Sequence, residues 1–240
     1  MEIQRKSLTQ LFVPICFETL FYMLSGMVDT LMLSSVSDQA VGAVGTANTY
    51  IGVFIIMFGV ISSGMVAVMT QNIGAGKPGV AYQARQLGLI FNAVVGVMMS
   101  VFLAVFSGKI LEIVSIAPAL FTPAETYLKI VGGACFLNAL IPIFSSYLRV
   151  FGYTRQSLFA SITGNIINFI LNSVFLFVMN WGVMGVAIAT VISRVINLIM
   201  VAAMGAVLVK AKNAPERESS RKILGQIIKI GFPSACETAL

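Results

Sequence analysis

Six long apolar runs, joined by short connectors, constrain the fold of this chain more than any other feature of its sequence. Each run is long enough to cross a hydrocarbon core of about 30 Å as a helix that rises about 1.5 Å per residue. Hydrophobic residues make up 58% of the chain and charged residues 10%, which is more apolar surface than a soluble domain of this length can bury. The sequence therefore predicts an all-α, polytopic membrane protein built as a six-helix transmembrane bundle. The runs occupy residues 11–33, 45–70, 87–107, 127–148, 158–179 and 184–209.

A short internal repeat divides the chain. The motif Pro-x-x-x-Glu-Thr at Pro14–Thr19 returns at Pro233–Thr238, again in apolar sequence. Repeats of this kind mark duplicated helical halves in transporters, and the alternative is a chance match. We therefore predict a first lobe over residues 1–209, a charged cytoplasmic linker over 210–222, and the start of a second lobe over 223–240. We expect this last segment to be a seventh helix that is cut short.

The positions of Lys and Arg predict how the bundle lies in the membrane. Most of them precede the first run, lie in the second and fourth connectors, or follow the sixth run, and the positive-inside rule assigns these regions to the cytoplasm. We expect an integral protein of the cell (plasma) membrane, the inner membrane in bacteria, with a cytoplasmic N-terminus. Because the basic residues are dispersed, the net charge of +6 does not indicate nucleic-acid binding. The residues are Arg5, Lys6, Lys77, Arg85, Arg149, Arg155, Lys210, Lys212, Arg217, Arg221 and Lys222.

Residue types that most enzymes need are scarce. The chain contains no His, which excludes most zinc sites and Ser-His-Asp triads. The three cysteines lie in apolar sequence, and their odd number would leave one unpaired. We therefore expect them to pack as small apolar side chains rather than to form disulfides. They are Cys16, Cys135 and Cys236. The Gly-rich stretch 72–79 lacks the Lys-Ser/Thr ending of a phosphate-binding loop and is typical of a turn. We predict a protein that is not an enzyme and has no cofactor.

Three charged side chains, Glu18, Asp29 and Arg194, lie well inside the predicted spans. Each is costly in a membrane unless it is paired, neutralised or in contact with water. We expect Asp29 to face a cavity toward the outer leaflet, with snorkelling to the interface as the alternative. Glu18 falls on nearly the same face of its helix. Its alternative role is a structural ion pair, for which Arg194 is a marginal partner because the two residues lie at different depths in the membrane.

The fifth apolar run supplies a polar stripe. Its hydroxyl and amide side chains recur at i, i+4, i+7 and i+11, which places them on one face of a helix. Together with Asp29 and with Thr190 of the next run, their oxygens form a set that suits a proton or a sodium ion. Hydrogen bonds between helices would also satisfy the amides, and this is the alternative. The stripe consists of Ser161, Asn165, Asn168 and Asn172.

Four motifs stand in a fixed order along the chain. They are Pro14 through Asp29-Thr30, the segment Thr70–Gly76, Asn168-x-x-x-Asn172, and Gly182–Thr190. The ordered set resembles the multidrug and toxic compound extrusion (MATE) transporters. This resemblance implies one six-helix lobe of a twelve-helix protein whose C-terminal lobe is missing here. It also implies a lipid-embedded antiporter that exports small organic, cationic amphipathic compounds by alternating access, in exchange for protons or sodium ions.

The resemblance assigns roles to individual residues. Asp29 is implied to be the cation-coupling carboxylate, with Asn168, Asn172 and Thr190 around the proton or the sodium ion. Many MATE members carry Asp where Asn172 stands, so here the negative charge of the site rests on Asp29. We expect three further polar residues to line the cavity or the substrate path. They are Glu18, Ser161 and Asn165.

Two other functions stay open at this point. A flippase for lipid-linked precursors, from the same wider superfamily, would need several inward Arg side chains to hold phosphates, and Arg194 alone is thin support. A non-transporting membrane assembly protein would use the polar stripe only to join helices, with Asp29 and Asn172 facing lipid or shielded from water. A single lobe has no partner bundle to rock against, so we do not expect this chain to transport by itself.

Overall fold

A computed structural model describes residues 8–209 and 217–239 of the chain. In chain order its α-helices are α1 (Leu8–Ser34), α2 (Asp38–Gly74), α3 (Pro78–Ile113), α4 (Pro118–Tyr127), α5 (Phe136–Val150), α6 (Thr154–Ser173), α7 (Gly182–Leu208) and α8 (Ser220–Ala239). Two π-helical turns, Leu128–Gly132 and Val174–Val178, follow α4 and α6. The predicted all-α class is confirmed.

The six predicted spans are all helical, and one of them is broken. Among the described residues, α2, α3, α7 and α6 with its π-helical turn are long and apolar enough to cross a membrane. The fourth span, predicted at 127–148, consists of α4 with its π-helical turn and α5, which meet at a bend of 44° and qualify only as a pair. Helix α1 occupies the first predicted span and carries both Glu18 and Asp29. The bundle agrees with the predicted lobe, with one span bent.

Local sequence explains where α2 and α3 begin and end. Ser37 caps the start of α2, because its hydroxyl accepts a hydrogen bond from the amide three residues later at 3.0 Å. Gly76, between the two helices, has a φ of +74°, which a residue without a Cβ adopts without strain. Pro78 then starts α3 at a position that needs no amide donor. The Gly-rich stretch 72–79 thus contains the predicted turn, at residues 75–77 between the end of α2 and the start of α3.

Helix α3 stabilises the break in the fourth span. The backbone N–H of Phe136, at the start of α5, donates to Ser100 Oγ at 2.8 Å, which satisfies a donor that the interrupted helix leaves free. Asn92 of α3 is 1% exposed and donates to the Phe58 carbonyl at 3.3 Å and to the Ala139 carbonyl at 3.0 Å. Polar side chains of α3 therefore fix α2 and α5 relative to one another.

Helix α8 crosses α2 at very short range. Gly64 of α2 faces the Ile227 carbonyl of α8, and Gly231 of α8 faces the Val60 carbonyl of α2. A Cβ at either glycine would overlap the opposite backbone. Small residues at a crossing allow the extensive van der Waals contact that holds helices together in a membrane. The reciprocal glycine crossing therefore fastens α8 to the lobe.

The segment before α8 is anchored on α3. The Gln83 amide donates to the Glu218 carbonyl at 2.8 Å and accepts from the Glu218 backbone N–H at 3.1 Å. Helix α8 begins at Ser220, inside the linker predicted at 210–222. The division of the chain into a lobe, a linker and a second lobe stays a prediction. Parts of the predicted first lobe, linker and second lobe, residues 1–7, 210–216 and 240, lie outside the described residues.

Candidate functional site

A ladder of polar contacts joins α1 to α6. The stripe predicted on one face of the fifth run lies on the side of α6 that packs against α1, and each contact crosses between the two helices. Both intramembrane carboxylates of α1 take part, one near each end of the ladder. The contacts are Ser157 to Glu18 at 3.3 Å, Asn165 to the Phe21 carbonyl at 3.5 Å, and Asn172 to Asp29 at 2.8 Å.

The Asp29 end of the ladder is a small buried cluster. Asn172 is fully buried and donates through Nδ2 to Asp29 Oδ1 at 2.8 Å and to Asn168 Oδ1 at 3.3 Å. Asn168 is 6% exposed. The Asn172 Oδ1 atom is buried and has no hydrogen-bond partner among the described residues. The structure thus brings together three of the four residues predicted to surround a coupling cation, and it leaves one of their acceptors unused.

Thr190, the fourth predicted residue, lies beside this cluster rather than against the carboxylate. Its hydroxyl donates to the Val186 carbonyl of its own helix at 2.8 Å. Tyr127, at the edge of the fourth predicted span, is 4% exposed, so the bent span places it in the interior of the bundle.

Arg194 of α7 lies in the same part of the lobe. It follows Thr190 by one helical turn and is half-buried. Its buried NH1 has no hydrogen-bond partner within the described ranges. Arg194 therefore places a positive charge on the same helix as Thr190.

Glu18 occupies a different environment at the other end of the ladder. Its carboxylate lies 3.6 Å from Arg149 NH1 of α5 and accepts from the Ser157 hydroxyl. The Glu18 side chain is 17% exposed and the Arg149 side chain 30%. The ion-pair partner of Glu18 is therefore Arg149 and not Arg194, the partner considered from the sequence. Arg149 was expected in a connector but lies in the last turn of α5.

The remaining stripe residues lie between the two carboxylates. Asn165 is half-buried, and its side-chain amide reaches the Phe21 carbonyl. Ser161 is half-buried on the same face of α6. Asn165 thus acts as a link between helices, and its place on a substrate path stays a prediction, as does that of Ser161.

The chemistry of the cluster suits a hard cation. A carboxylate and two amide oxygens are ligand types that sodium and other hard cations prefer, and a carboxylate alone can take a proton. In the part of the chain that the structure describes, no group of three or more His, Cys, Asp or Glu side chains is placed to hold a metal ion.

Comparison with known proteins gives a consistent result. The pattern of the MatE family matches residues 14–174. A protein of Bacillus subtilis (strain 168), named Uncharacterized transporter YisQ, is 34% identical over 242 residues, which cover 96% of this chain and 52% of that protein. The Probable multidrug resistance protein NorM of Thermotoga maritima is 29% identical over 256 residues, covering 97% of this chain and 51% of that protein.

Solved structures share the fold. An outward-facing multidrug resistance MATE family transporter of the MOP superfamily matches with a TM-score of 0.85 at 21% identity, over 95% of this chain and 51% of that one. An inward-facing one matches with a TM-score of 0.78 at 20% identity, over 96% of this chain and 53% of that one. The chain spans about half the length of the proteins that it matches.

Proposed function

Because the chain belongs to the MATE family of membrane transporters, we propose that it forms one lobe of an antiporter that exports organic, cationic amphipathic compounds in exchange for protons or sodium ions. The family's transport role also supports the expectation that the protein is not an enzyme. The coupling cation binds at Asp29, with Asn168, Asn172 and Thr190 around it. Glu18, Ser161 and Asn165 line the way to this site.

The observation that carries the proposal is the incomplete coordination of Asp29. Its carboxylate receives a hydrogen bond from the single amide of Asn172, whose own oxygen is left without a partner among the described residues. A charge in the apolar part of a membrane is stable only when it is paired, neutralised or hydrated. A bound proton or sodium ion would neutralise Asp29, and a sodium ion would also use the free oxygen of Asn172.

Competition for this charge links the cation to the substrate. A cationic compound and a coupling cation both gain from the negative charge of Asp29, so binding of one disfavours binding of the other. Alternating access then converts a gradient of the coupling cation into export. We infer that the second lobe supplies the partner bundle for this motion, with residues 1–209 as the first lobe, 210–222 as the cytoplasmic linker and 223–240 as the start of the second lobe. The protein would lie in the plasma membrane with its N-terminus in the cytoplasm.

The flippase alternative has weaker support. Arg149 is engaged by Glu18, and Arg85, which lies inside α3 and not in the predicted connector, stands 4.3 Å from the centroid of the Tyr147 ring. Arg194 is half-buried on α7, one helical turn after Thr190. One arginine beside a carboxylate is a poor phosphate site, because the carboxylate repels the anion.

The assembly-protein alternative explains Asn165 well and Asn172 less well. Asn165 binds the Phe21 carbonyl, as expected for a polar link between helices. Asn172 instead donates to the carboxylate of Asp29, and a charged group inside an apolar helix costs more than a neutral amide link between helices requires.

The test compares two carboxylates of one helix in the protein that contains both lobes, reconstituted in liposomes. We expect Asp29→Asn to lower efflux of a fluorescent organic cation, driven by a sodium or pH gradient, by at least about tenfold, because the competing charge is gone. Glu18→Gln is the comparison at the other carboxylate of α1, and it should lower efflux less than Asp29→Asn does, since the charge of Glu18 is engaged by Arg149. Equal loss in both variants, or unchanged gradient-driven efflux in Asp29→Asn, would refute the role of Asp29.

A further inference from the structure

An apolar groove lies on the surface of the lobe beside the break of the fourth span. It has a volume of about 280 Å³. Val97 and Val101 of α3 stand on its open side and are 52% and 57% exposed. The residues that it takes from the fourth span lie on both sides of the break, so the bend leaves a concave surface where a straight helix would pack against α3. The lining residues are Val97, Ser100, Val101, Ala104, Gly133 and Phe136.

The groove has the depth of one leaflet of a bilayer. Val97 lies ten residues before the end of the apolar run 87–107, which is about 15 Å along a helix and half of a hydrocarbon core of about 30 Å. The groove thus runs from near the middle of the bilayer toward the connector between α3 and α4, which is on the outer side in the topology proposed above. It is too small for another helix, which is about 10–12 Å wide with its side chains. A single hydrocarbon chain has the slender shape that it requires.

An acidic and a basic side chain stand one helical turn beyond the groove, on the side of that connector. Glu125 and Lys129 form an ion pair of 2.7 Å, and their side chains are 27% and 51% exposed. The pair lies against α3 at Gly108, where a Cβ would be 2.9 Å from Glu125 Oε1. Gly108 follows Ala104 of the groove by four residues, and Lys129 precedes Gly133 of the groove by four. The groove and the ion pair therefore form one strip, which is apolar within the leaflet and charged at its edge.

We propose that this strip binds one phospholipid whose headgroup carries both a phosphate and a primary ammonium, as in phosphatidylethanolamine. An acyl chain fills the groove, Lys129 binds the phosphate, and Glu125 accepts hydrogen bonds from the headgroup ammonium. A partly exposed ion pair gains little from its own contact, so Glu125 and Lys129 can exchange each other for the opposite charges of the headgroup.

The headgroup chemistry distinguishes this lipid from others. The quaternary ammonium of phosphatidylcholine has no hydrogen to donate to Glu125. The headgroup of phosphatidylglycerol has a phosphate but no ammonium, so it would leave the negative charge of Glu125 beside the phosphate. A lipid that fits both charges covers the break of the fourth span and stabilises the bent form, because it binds the folded protein alone.

The experiment measures lipid binding to the detergent-purified protein that contains both lobes. Phosphatidylethanolamine, phosphatidylcholine and phosphatidylglycerol with the same acyl chains are titrated separately, and native mass spectrometry counts the bound lipids. We expect one phosphatidylethanolamine to bind at least about fivefold more tightly than either of the others. It should also raise the melting temperature of the protein more than they do.

Two pairs of variants test the two ends of the strip. Glu125→Gln should bind phosphatidylethanolamine and phosphatidylcholine alike, whereas Glu112→Gln, which removes an exposed carboxylate at the end of α3, should keep the wild-type preference. Val101→Trp fills the groove and should weaken binding of phosphatidylethanolamine at least about fivefold. Val94→Trp is its matched control, because Val94 is a 55% exposed valine of the same helix that does not line the groove.

Three results would overturn the inference. Equal binding of the three lipids by the wild type would identify ordinary boundary lipid, and wild-type binding in Val101→Trp would place the lipid elsewhere. A photo-reactive amino acid at position 101, in nanodiscs of phosphatidylethanolamine, should cross-link to lipid; cross-linking to the second lobe would show that a protein contact covers the groove. If Val101→Trp does not fold, Glu125→Gln and Glu112→Gln decide by the lipid preference. The inference does not depend on the coupling role of Asp29, which efflux tests and lipid binding does not.

Discussion

Helix α1 carries two carboxylates on nearly the same face, and the surrounding helices supply different partners to each of them. Glu18 has a direct partner in Arg149 and accepts a hydrogen bond from Ser157. Asp29 has one hydrogen bond from Asn172, whose own oxygen is buried without a partner in the described ranges. Both are acidic groups inside the same apolar helix, so their difference comes from the helices that pack around them.

The difference separates a structural acid from a candidate binding acid. A buried ion pair whose members are both satisfied contributes to helix packing and gains little from an added ligand. A half-buried carboxylate that no basic side chain pairs with in the described ranges gains from a cation that binds it. Composition and helix periodicity cannot make this distinction, because both acids look alike in the sequence.

The largest expected effect comes from leaving Glu18 without its partner. Arg149→Gln should lower the free energy of unfolding by about 1–3 kcal/mol, because Glu18 keeps its charge and loses the ion pair that compensates it. Denaturant titration of the purified protein at fixed detergent concentration, followed by circular dichroism, measures this change. The double variant Glu18→Gln with Arg149→Gln should recover part of the loss. If the double variant is less stable than Arg149→Gln alone, the ion pair is not the reason for the destabilisation.

At the Asp29 end of the ladder we expect a smaller loss of stability than in Arg149→Gln, but a larger change in the response to cations. Asn172→Ala removes the amide that donates to Asp29 and should cost about 1 kcal/mol of unfolding free energy. It should also weaken sodium- or proton-dependent displacement of bound ethidium, a fluorescent organic cation, since an oxygen ligand is lost with the amide. Ser157→Ala is the control at Glu18: Arg149 still compensates the carboxylate, so the cation response should stay as in the wild type. A wild-type response in Asn172→Ala would contradict the binding role of this cluster.

The smallest effect is expected for a third carboxylate, Glu218, which lies outside the apolar spans. A hydrogen bond from Lys222, together with the charge of that side chain, holds the pKa of Glu218 below its usual value. A carboxylate with a lowered pKa contributes stability above its ordinary pKa and loses that contribution as the pH falls through the lowered value. Acidification to a pH below the usual pKa of a Glu side chain should therefore slightly increase backbone hydrogen exchange at the start of α8, after correction for the intrinsic exchange rate.

Gln83 provides the comparison for this last measurement. It binds both backbone groups of Glu218 at any pH, so Gln83→Ala should increase exchange at the start of α8 more than acidification does. If acidification increases exchange as much as Gln83→Ala does, the charge of Glu218 and not the backbone clamp holds this segment.

The sequence predicted the helices well because hydropathy over a long run is a strong signal. It missed the break of the fourth span, since that break depends on Ser100, a residue of another helix that binds the Phe136 amide. It misplaced Arg149 for a related reason. A basic residue at the end of a span suggests a connector, yet its long side chain can reach back along the helix to an acid such as Glu18.

The site was predictable in type but not in detail. The spacing of the stripe placed Asn168 and Asn172 on one face, and an intramembrane Asp29 indicated their partner. The spacing did not indicate that the Thr190 hydroxyl would donate to the Val186 carbonyl, because a helix backbone can satisfy a hydroxyl that lies on it.

The reciprocal glycine crossing between α2 and α8 has a consequence for how the protein can be made. Gly64 and Gly231 let the two backbones touch, and this contact does not depend on the chain segment that connects the two helices. A chain divided between α7 and α8 should therefore reassemble when the two pieces are produced together in one cell, and the pieces should copurify. Helix α8 would then find its position on α2 as soon as it leaves the ribosome.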